Sequence, residues 1–159
     1  MSKSIVRITT FLAKARQLAG YENKGETKLE KKFTDGSRQL GPYVEEDLTY
    51  LDNWKGHEQF KGREVILEKE KPIWERVYAG GIIELNLDKK EIEEVFFVLR
   101  LAMQNFPEMR PEKRGMNLKK NEIEYREKVI GGIEKFKGEE MIFKNKIKVY
   151  ELKHEGGFI

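Results

Sequence analysis

At 159 residues, with 38% hydrophobic and 11% aromatic side chains, the chain is long enough to bury a core and too apolar to be disordered throughout. Its 31 basic and 28 acidic residues nearly cancel, and a net charge of +3 is too weak a field for nucleic acid to be expected as a partner. No cysteine is present for a disulfide or thiolate metal site, and Lys3, Arg7, Lys14 and Arg16 interrupt any N-terminal apolar block, so a cytoplasmic location without membrane association is expected.

Ile5, Ile8, Phe11, Leu12, Ala15 and Leu18 recur at helical spacing behind the N-cap candidate Ser4, which predicts a first helix over 5–18, ended by Gly20. Residues 21–42 are polar and hold Gly25, Gly36, Gly41 and Pro42, so they read as a long loop with at most one short strand. Alternation then sets in: Leu48, Tyr50, Asp52 and Trp54 share one side of a strand over about 44–54. Further strands follow over about 62–69 and 72–79, with an extension through Ile82, Ile83, Leu85 and Leu87. Asp88 with Glu91 forms an acidic capping box for a second helix, whose apolar face runs from Ile92 to Phe106 and which Pro107 ends. After a loop rich in Arg and Lys, strands are predicted near 120–129, 137–144 and 147–155.

Residues 60–83 repeat as residues 136–159 without a gap, and nine of the 24 aligned positions are identical: Phe60/Phe136, Lys61/Lys137, Gly62/Gly138, Glu64/Glu140, Ile66/Ile142, Glu75/Glu151, Gly80/Gly156, Gly81/Gly157 and Ile83/Ile159. A repeat at fixed offset predicts one supersecondary unit used twice. The expected fold is therefore α+β, an internally duplicated helix plus three-stranded antiparallel unit, with two helices packed on a curved antiparallel sheet. The chain is expected to be a single domain, 1–159, with a pseudo-twofold repeat of about 1–87 and 88–159. Trp74 and Tyr150 should be equivalent and buried, with Lys69-Glu70 and Asn145-Lys146 at exposed hairpin tips.

Two-residue turns at those tips would set Glu64 opposite Glu75 and Glu140 opposite Glu151. Val65, Leu67, Trp74, Tyr78, Met141, Phe143, Tyr150 and Leu152 would then form the other face, toward the helices. Opposed carboxylates repel unless something intervenes. Three readings stand side by side: a shared Lys or Arg, a divalent metal or proton shared for acid/base work, or a longer loop that turns Glu64 toward Arg76 as an ordinary ion pair. Glu64, Glu75 and Asp52 are the catalytic candidates. Tyr50, Asp52, Trp54, Trp74 and Tyr78 are the candidates for lining a small-molecule pocket, or else a stripe of core. His57 and His154 read as structural or exposed. No zinc signature, phosphate-binding glycine loop or nucleophile elbow occurs, and neither a metal site nor a cofactor is expected.

Tyr50-Leu51-Asp52, Phe60-Lys61-Gly62-Arg63-Glu64 and Pro72-Ile73-Trp74 with Tyr78 and Gly80, together with FLAKARQLAGYE at the N-terminus, resemble a prokaryotic family of unknown function. Asn53-Trp54-Lys55-Gly56 stands where that family usually has Tyr-Phe-Gly-Gly. Attachment of some relatives to helix-turn-helix domains implies a sensory or interaction role for the module. The function expected on both grounds is a non-enzymatic binding or sensory module for a small molecule or a protein partner. The rival is a hydrolase or isomerase using the paired glutamates, with or without a divalent metal. A homodimer through an exposed sheet edge is a further expectation.

Overall fold

The computed structural model describes residues 3–19, 29–104 and 117–159. The expected Gly20 helix stop, residues 21–28 of the polar loop, and Pro107 with the Arg- and Lys-rich loop after it lie outside these. Helix α1 spans Lys3–Ala19 and α2 Lys89–Gln104. The strands are β1 Glu30–Lys32, β2 Arg38–Glu45, β3 Leu48–Gly56, β4 Gln59–Glu68, β5 Lys71–Ile82, β6 Asn117–Lys120, β7 Ile123–Gly132, β8 Lys135–Lys144 and β9 Ile147–Phe158. All pair antiparallel in one sheet of order β1-β2-β3-β4-β5-β9-β8-β7-β6.

This corrects the expected architecture. Two helix-plus-three-strand units are not what forms; among the described residues the strands make a single nine-stranded sheet, with both described helices packed on one face of it. The difference begins at residues 30–45, where Gly36, Gly41 and Pro42 suggested a loop. The register of β2 against β3 shifts between Leu40 and Tyr43, so an irregularity absorbs Gly41 and Pro42 while the strand continues on either side. The two repeated segments form the hairpins β4–β5 and β8–β9, and β5 pairs with β9 along Trp74–Ile82.

Both hairpins turn on two residues, Lys69-Glu70 (φ 47 and 67) and Asn145-Lys146 (φ 50 and 68). Paired left-handed residues make a type I′ turn, whose twist matches the flanking strands. One step later each hairpin carries a bulge: Leu67 pairs with Pro72 but Ile66 with Trp74, and Phe143 pairs with Lys148 but Ile142 with Tyr150. Ile73 and Val149 are the extra residues. The bulge lets two consecutive apolar residues, Val149 and Tyr150, both enter the core.

Helix α1 packs Ile8, Phe11, Leu12 and Ala15 on Leu48, Tyr50, Ile66, Trp74, Ile133 and Phe136. Helix α2 packs Val95, Val98, Leu99 and Ala102 on Tyr78, Ile82, Ile123, Tyr125, Ile142, Tyr150 and Leu152. Each cluster draws on both hairpins. Trp74 and Tyr150 are fully buried, and the Trp74 indole N–H donates to the Ile133 carbonyl at 3.0 Å.

The start of α2 is the predicted capping box: the Glu91 N–H donates to the Asp88 carboxylate at 2.8 Å, and the Asp88 N–H to the Glu91 carboxylate at 2.9 Å. Lys144 of β8 donates to the other Glu91 oxygen at 2.8 Å, and that contact first, then the Asp88 N–H, holds the Glu91 carboxyl below its usual range. A lowered folded-state pKa means stabilisation that is present above the ordinary glutamate range and lost as pH falls through the folded value. Acid titration of Tm by circular dichroism should therefore show a shallower acid limb for Glu91→Gln than for the parent. Superimposable limbs would show that the contact contributes nothing.

Candidate functional site

The alternation of β3 sends Leu48, Tyr50 and Asp52 into the helix-covered layer, where Asp52 pairs with Glu64 and Tyr50 with Ile66. On β5 the same period brings in Trp74, Arg76 and Tyr78. Glu140 and His154 arrive from β8 and β9. Helix α1 adds Arg16, on the same stripe as Ile8 and Leu12. Arg16, Asp52, Glu64, Arg76, Glu140 and His154 are all at most 3% exposed.

Charges held away from water must be paired and hydrogen-bonded. The Arg16 guanidinium forks onto Glu64, donating from Nε at 2.7 Å and Nη2 at 2.8 Å. Glu64 also accepts from the Tyr50 hydroxyl at 2.9 Å and from Arg76 Nη1 at 2.8 Å. Arg76 extends the chain of contacts to Glu140 through Nη2 at 3.4 Å and to His154 Nδ1 through Nε at 3.0 Å. Because Nδ1 accepts, that imidazole is neutral with its proton on Nε2. The Tyr78 hydroxyl donates to Asp52 at 2.7 Å, and the Arg76 guanidinium lies 4.9 Å from the centre of the Tyr78 ring. The result is a charged seam running from α1 across β4 and β5 to β8 and β9.

Two of the repeated glycines make room for it. A Cβ on Gly62 would come within 2.4 Å of the Tyr78 hydroxyl, and one on Gly138 within 2.4 Å of His154 Nε2. The far end of each ring occupies the space over its cross-strand glycine, Gly62 opposite Tyr78 and Gly138 opposite His154. Any side chain at either position would evict the ring and its hydrogen bonds.

Where the seam reaches α2 a cavity of about 430 Å³ opens. Trp54, Phe60, Tyr78, Phe96, Leu99, Met103 and Leu152 form its walls, and Asp52, Arg76 and Glu140 supply buried polar groups. Arg38, His57, Glu58 and Arg100 also line it. An apolar, aromatic concavity with a few convergent polar groups has the chemistry of a site for a small organic molecule.

Of the five residues expected to line a pocket, Asp52, Trp54 and Tyr78 do so. Tyr50 and Trp74 instead belong to the core beneath α1. The catalytic pair Glu64 and Glu75 does not exist. The bulge at Ile73 moves the register by one residue, so Glu64 pairs with Arg76 and Glu75 with Val65. Glu75 consequently points to the opposite face, where Arg63 meets it at 2.6 Å. The equivalent bulge sets Glu140 opposite Leu152 and Met141 opposite Glu151. The same shift corrects the expected division of faces: Trp74, Tyr78, Tyr150 and Leu152 join the glutamates under the helices, and Val65, Leu67, Met141 and Phe143 lie on the other side. Of the three readings, the ion pair of Glu64 with Arg76 is the one realised, through a bulge rather than a longer loop.

Residues not among the sequence candidates for the site are Arg16, Glu140, Phe60, Phe96, Leu99, Met103 and Leu152, and the sequence offers Arg76 only as an ion-pair partner of Glu64. Signals existed for two of them. Arg16 continues the Ile8–Leu12 stripe, and Glu140 repeats Glu64. No group of three or more His, Asp or Glu that could hold a metal ion occurs among the described residues, and no described helix is long and apolar enough to cross a membrane.

A family model described as a domain of unknown function, DUF5680, matches residues 52–159. The match covers more than half of the chain and every cavity residue except Arg38, while Arg16 and Tyr50 precede it. No curated protein and no solved structure matches. The chain belongs to the DUF5680 family.

Proposed function

We propose that this member of the DUF5680 family is a non-enzymatic module that binds a small organic molecule in the cavity between α2 and the sheet. The observation that carries the reading is the combination of aromatic walls with Asp52, Arg76 and Glu140, all buried and converging on one space. The acid–base alternative was built on Glu64 and Glu75. These lie on opposite faces and each meets an arginine, which leaves no shared proton for that chemistry.

A sensory role has a physical route. An occupant that draws on Arg76 competes with Glu64, which also accepts from Arg16 of α1. The resemblance to modules attached to helix-turn-helix domains supports the same role, with α1 as the element that reports occupancy.

A thermal-shift screen over metabolites tests the reading. A ligand present at a hundred times its Kd adds about 2.7 kcal/mol and should raise Tm by roughly 5–10 °C for a chain of this size. Met103→Trp, which projects from α2 into the cavity, should keep the fold and abolish that shift. A library in which nothing raises Tm, or a hit that stabilises Met103→Trp equally, removes the cavity as the site.

A further inference from the structure

The face of the sheet away from the helices carries a pattern that the cavity does not use. Reading across the register, Lys55 pairs with Lys61, Lys61 with Ala79, Ala79 with Lys153, Lys153 with Glu139, and Glu139 with Lys128. The neighbouring row runs Asn53, Arg63, Val77, Glu155, Lys137 and Ile130. Six cations thus face two carboxylates over these rows. Lys55 and Lys61 stand directly opposite each other, an arrangement that costs stability within a strand pair. Among the described residues Lys61 and Lys137 have no ion-pair partner, whereas Lys55 acts on Asp35 and Arg63 is occupied by Glu75.

Between these cations the surface sinks. Val77 and Ala79 of β5 form an apolar floor, with Lys61 and Arg63 of β4 on one side and Lys137, Lys153 and Glu155 on the other, so that four cations face one carboxylate around a trough of about 640 Å³. The strands flanking β5 are β4 and β9, so the nearest walls stand roughly 10 Å apart, the width that one extended chain occupies.

We propose that this trough docks an extended acidic segment of a partner protein, lying along β5 with small apolar side chains on Val77 and Ala79 and carboxylates on the flanking lysines. Charge complementarity selects an acidic occupant. The apolar floor and the lack of a stacking platform select peptide over single-stranded nucleic acid, whose bases need exposed aromatic faces. The rings that reach the trough, Tyr78 and His154, are buried in the helix-covered layer at 9% and 3% exposure and offer no face to a base. The proposal is independent of the cavity, which lies on the other side of the sheet.

The test uses the full chain and a fluorescein-labelled peptide of alternating glutamate and valine, followed by anisotropy. Binding should be measurable at low salt and fall steeply as salt rises. Lys61→Gln with Lys137→Gln and Lys153→Gln should weaken it by about tenfold or more, through loss of the charges that steer and hold the segment. Ala79→Trp, at an exposed position, fills the trough without changing charge and should weaken binding as much; equal melting temperatures would show that both variants fold. Lys137→Glu alone supplies a milder test should the triple variant unfold, and it should weaken binding in the same direction. Absence of peptide binding at low salt overturns the proposal. So does a labelled oligothymidylate that binds as tightly as the peptide and survives Ala79→Trp, because the face would then be an unspecific polyanion surface.

Discussion

Replacing Glu64 by Leu is expected to cost about 3–5 kcal/mol, the range found when one member of a buried ion pair is removed. Glu64 accepts from Arg16, Arg76 and Tyr50, and its side chain and that of Arg16 are both 0% exposed. Without the carboxylate, two guanidiniums are left close together where water cannot reach them. Glu64→Gln keeps the shape and one acceptor, so it should cost less. Arg16→Met combined with Glu64→Leu should cost less than the two single changes added together, since the second removes a charge the first has stranded. Urea denaturation followed by Trp fluorescence measures all four proteins. A loss below about 1 kcal/mol for Glu64→Leu would show that the seam is solvated in solution, against its burial in the structure.

A chain ending at Asp88 should not fold. It retains α1 and β1–β5, yet it loses β9, the partner of β5 along Trp74–Ile82, and with it Ile133 and Phe136 from the core beneath α1. Trp74 loses both its hydrogen bond to Ile133 and its ring contact with Phe136, whose centres lie 5.9 Å apart. Tyr78 and Ile82, which belong to the α2 cluster, would be bared as well. Near-ultraviolet circular dichroism of the shortened chain should show no fixed aromatic environment, and heating should give no cooperative transition. A sharp two-state melt as a monomer would mean two domains in place of the single sheet.

The parts that were legible in the sequence are those set by local chemistry. The Asp88–Glu91 capping box, the hairpin tips at Lys69-Glu70 and Asn145-Lys146, and the alternation of Leu48, Tyr50 and Asp52 each depend on residues within a few positions of one another. The register was not legible, because the bulge at Val149 has no glycine or proline to announce it and the one at Ile73 is marked by the neighbouring Pro72 alone. A one-residue shift reverses every side chain beyond it, and this alone dissolved the Glu64–Glu75 pair. The site was half legible for the same reason. Asp52 and Trp54 on β3 and Tyr78 on β5 each follow the alternation of their own strand, whereas Phe96, Leu99 and Met103 reach the cavity from α2 by tertiary packing. Arg16 escaped notice because a cation on an apolar helical stripe reads as the edge of a solvated face until its buried partner is seen.

The strand order has a consequence for how the chain reaches this structure. Among the described strands every pairing joins consecutive strands except β5 with β9, which brings together residues farther apart in sequence than any other pair. Loop closure makes such a contact slower to form than a hairpin. The runs β1–β5 and β6–β9 are therefore expected to assemble first, each ending in an open edge. Until they meet, β5 and β9 expose Ile73, Trp74, Val149 and Tyr150 beside unpaired backbone, the combination that recruits a second chain. Among the described strands the finished sheet ends instead in the three-residue β1 and four-residue β6, both rich in lysine, so the apolar edges of β5 and β9 are a hazard of folding that closes once they pair. Refolding yield should accordingly fall as protein concentration rises, while the folded chain tolerates the same concentrations.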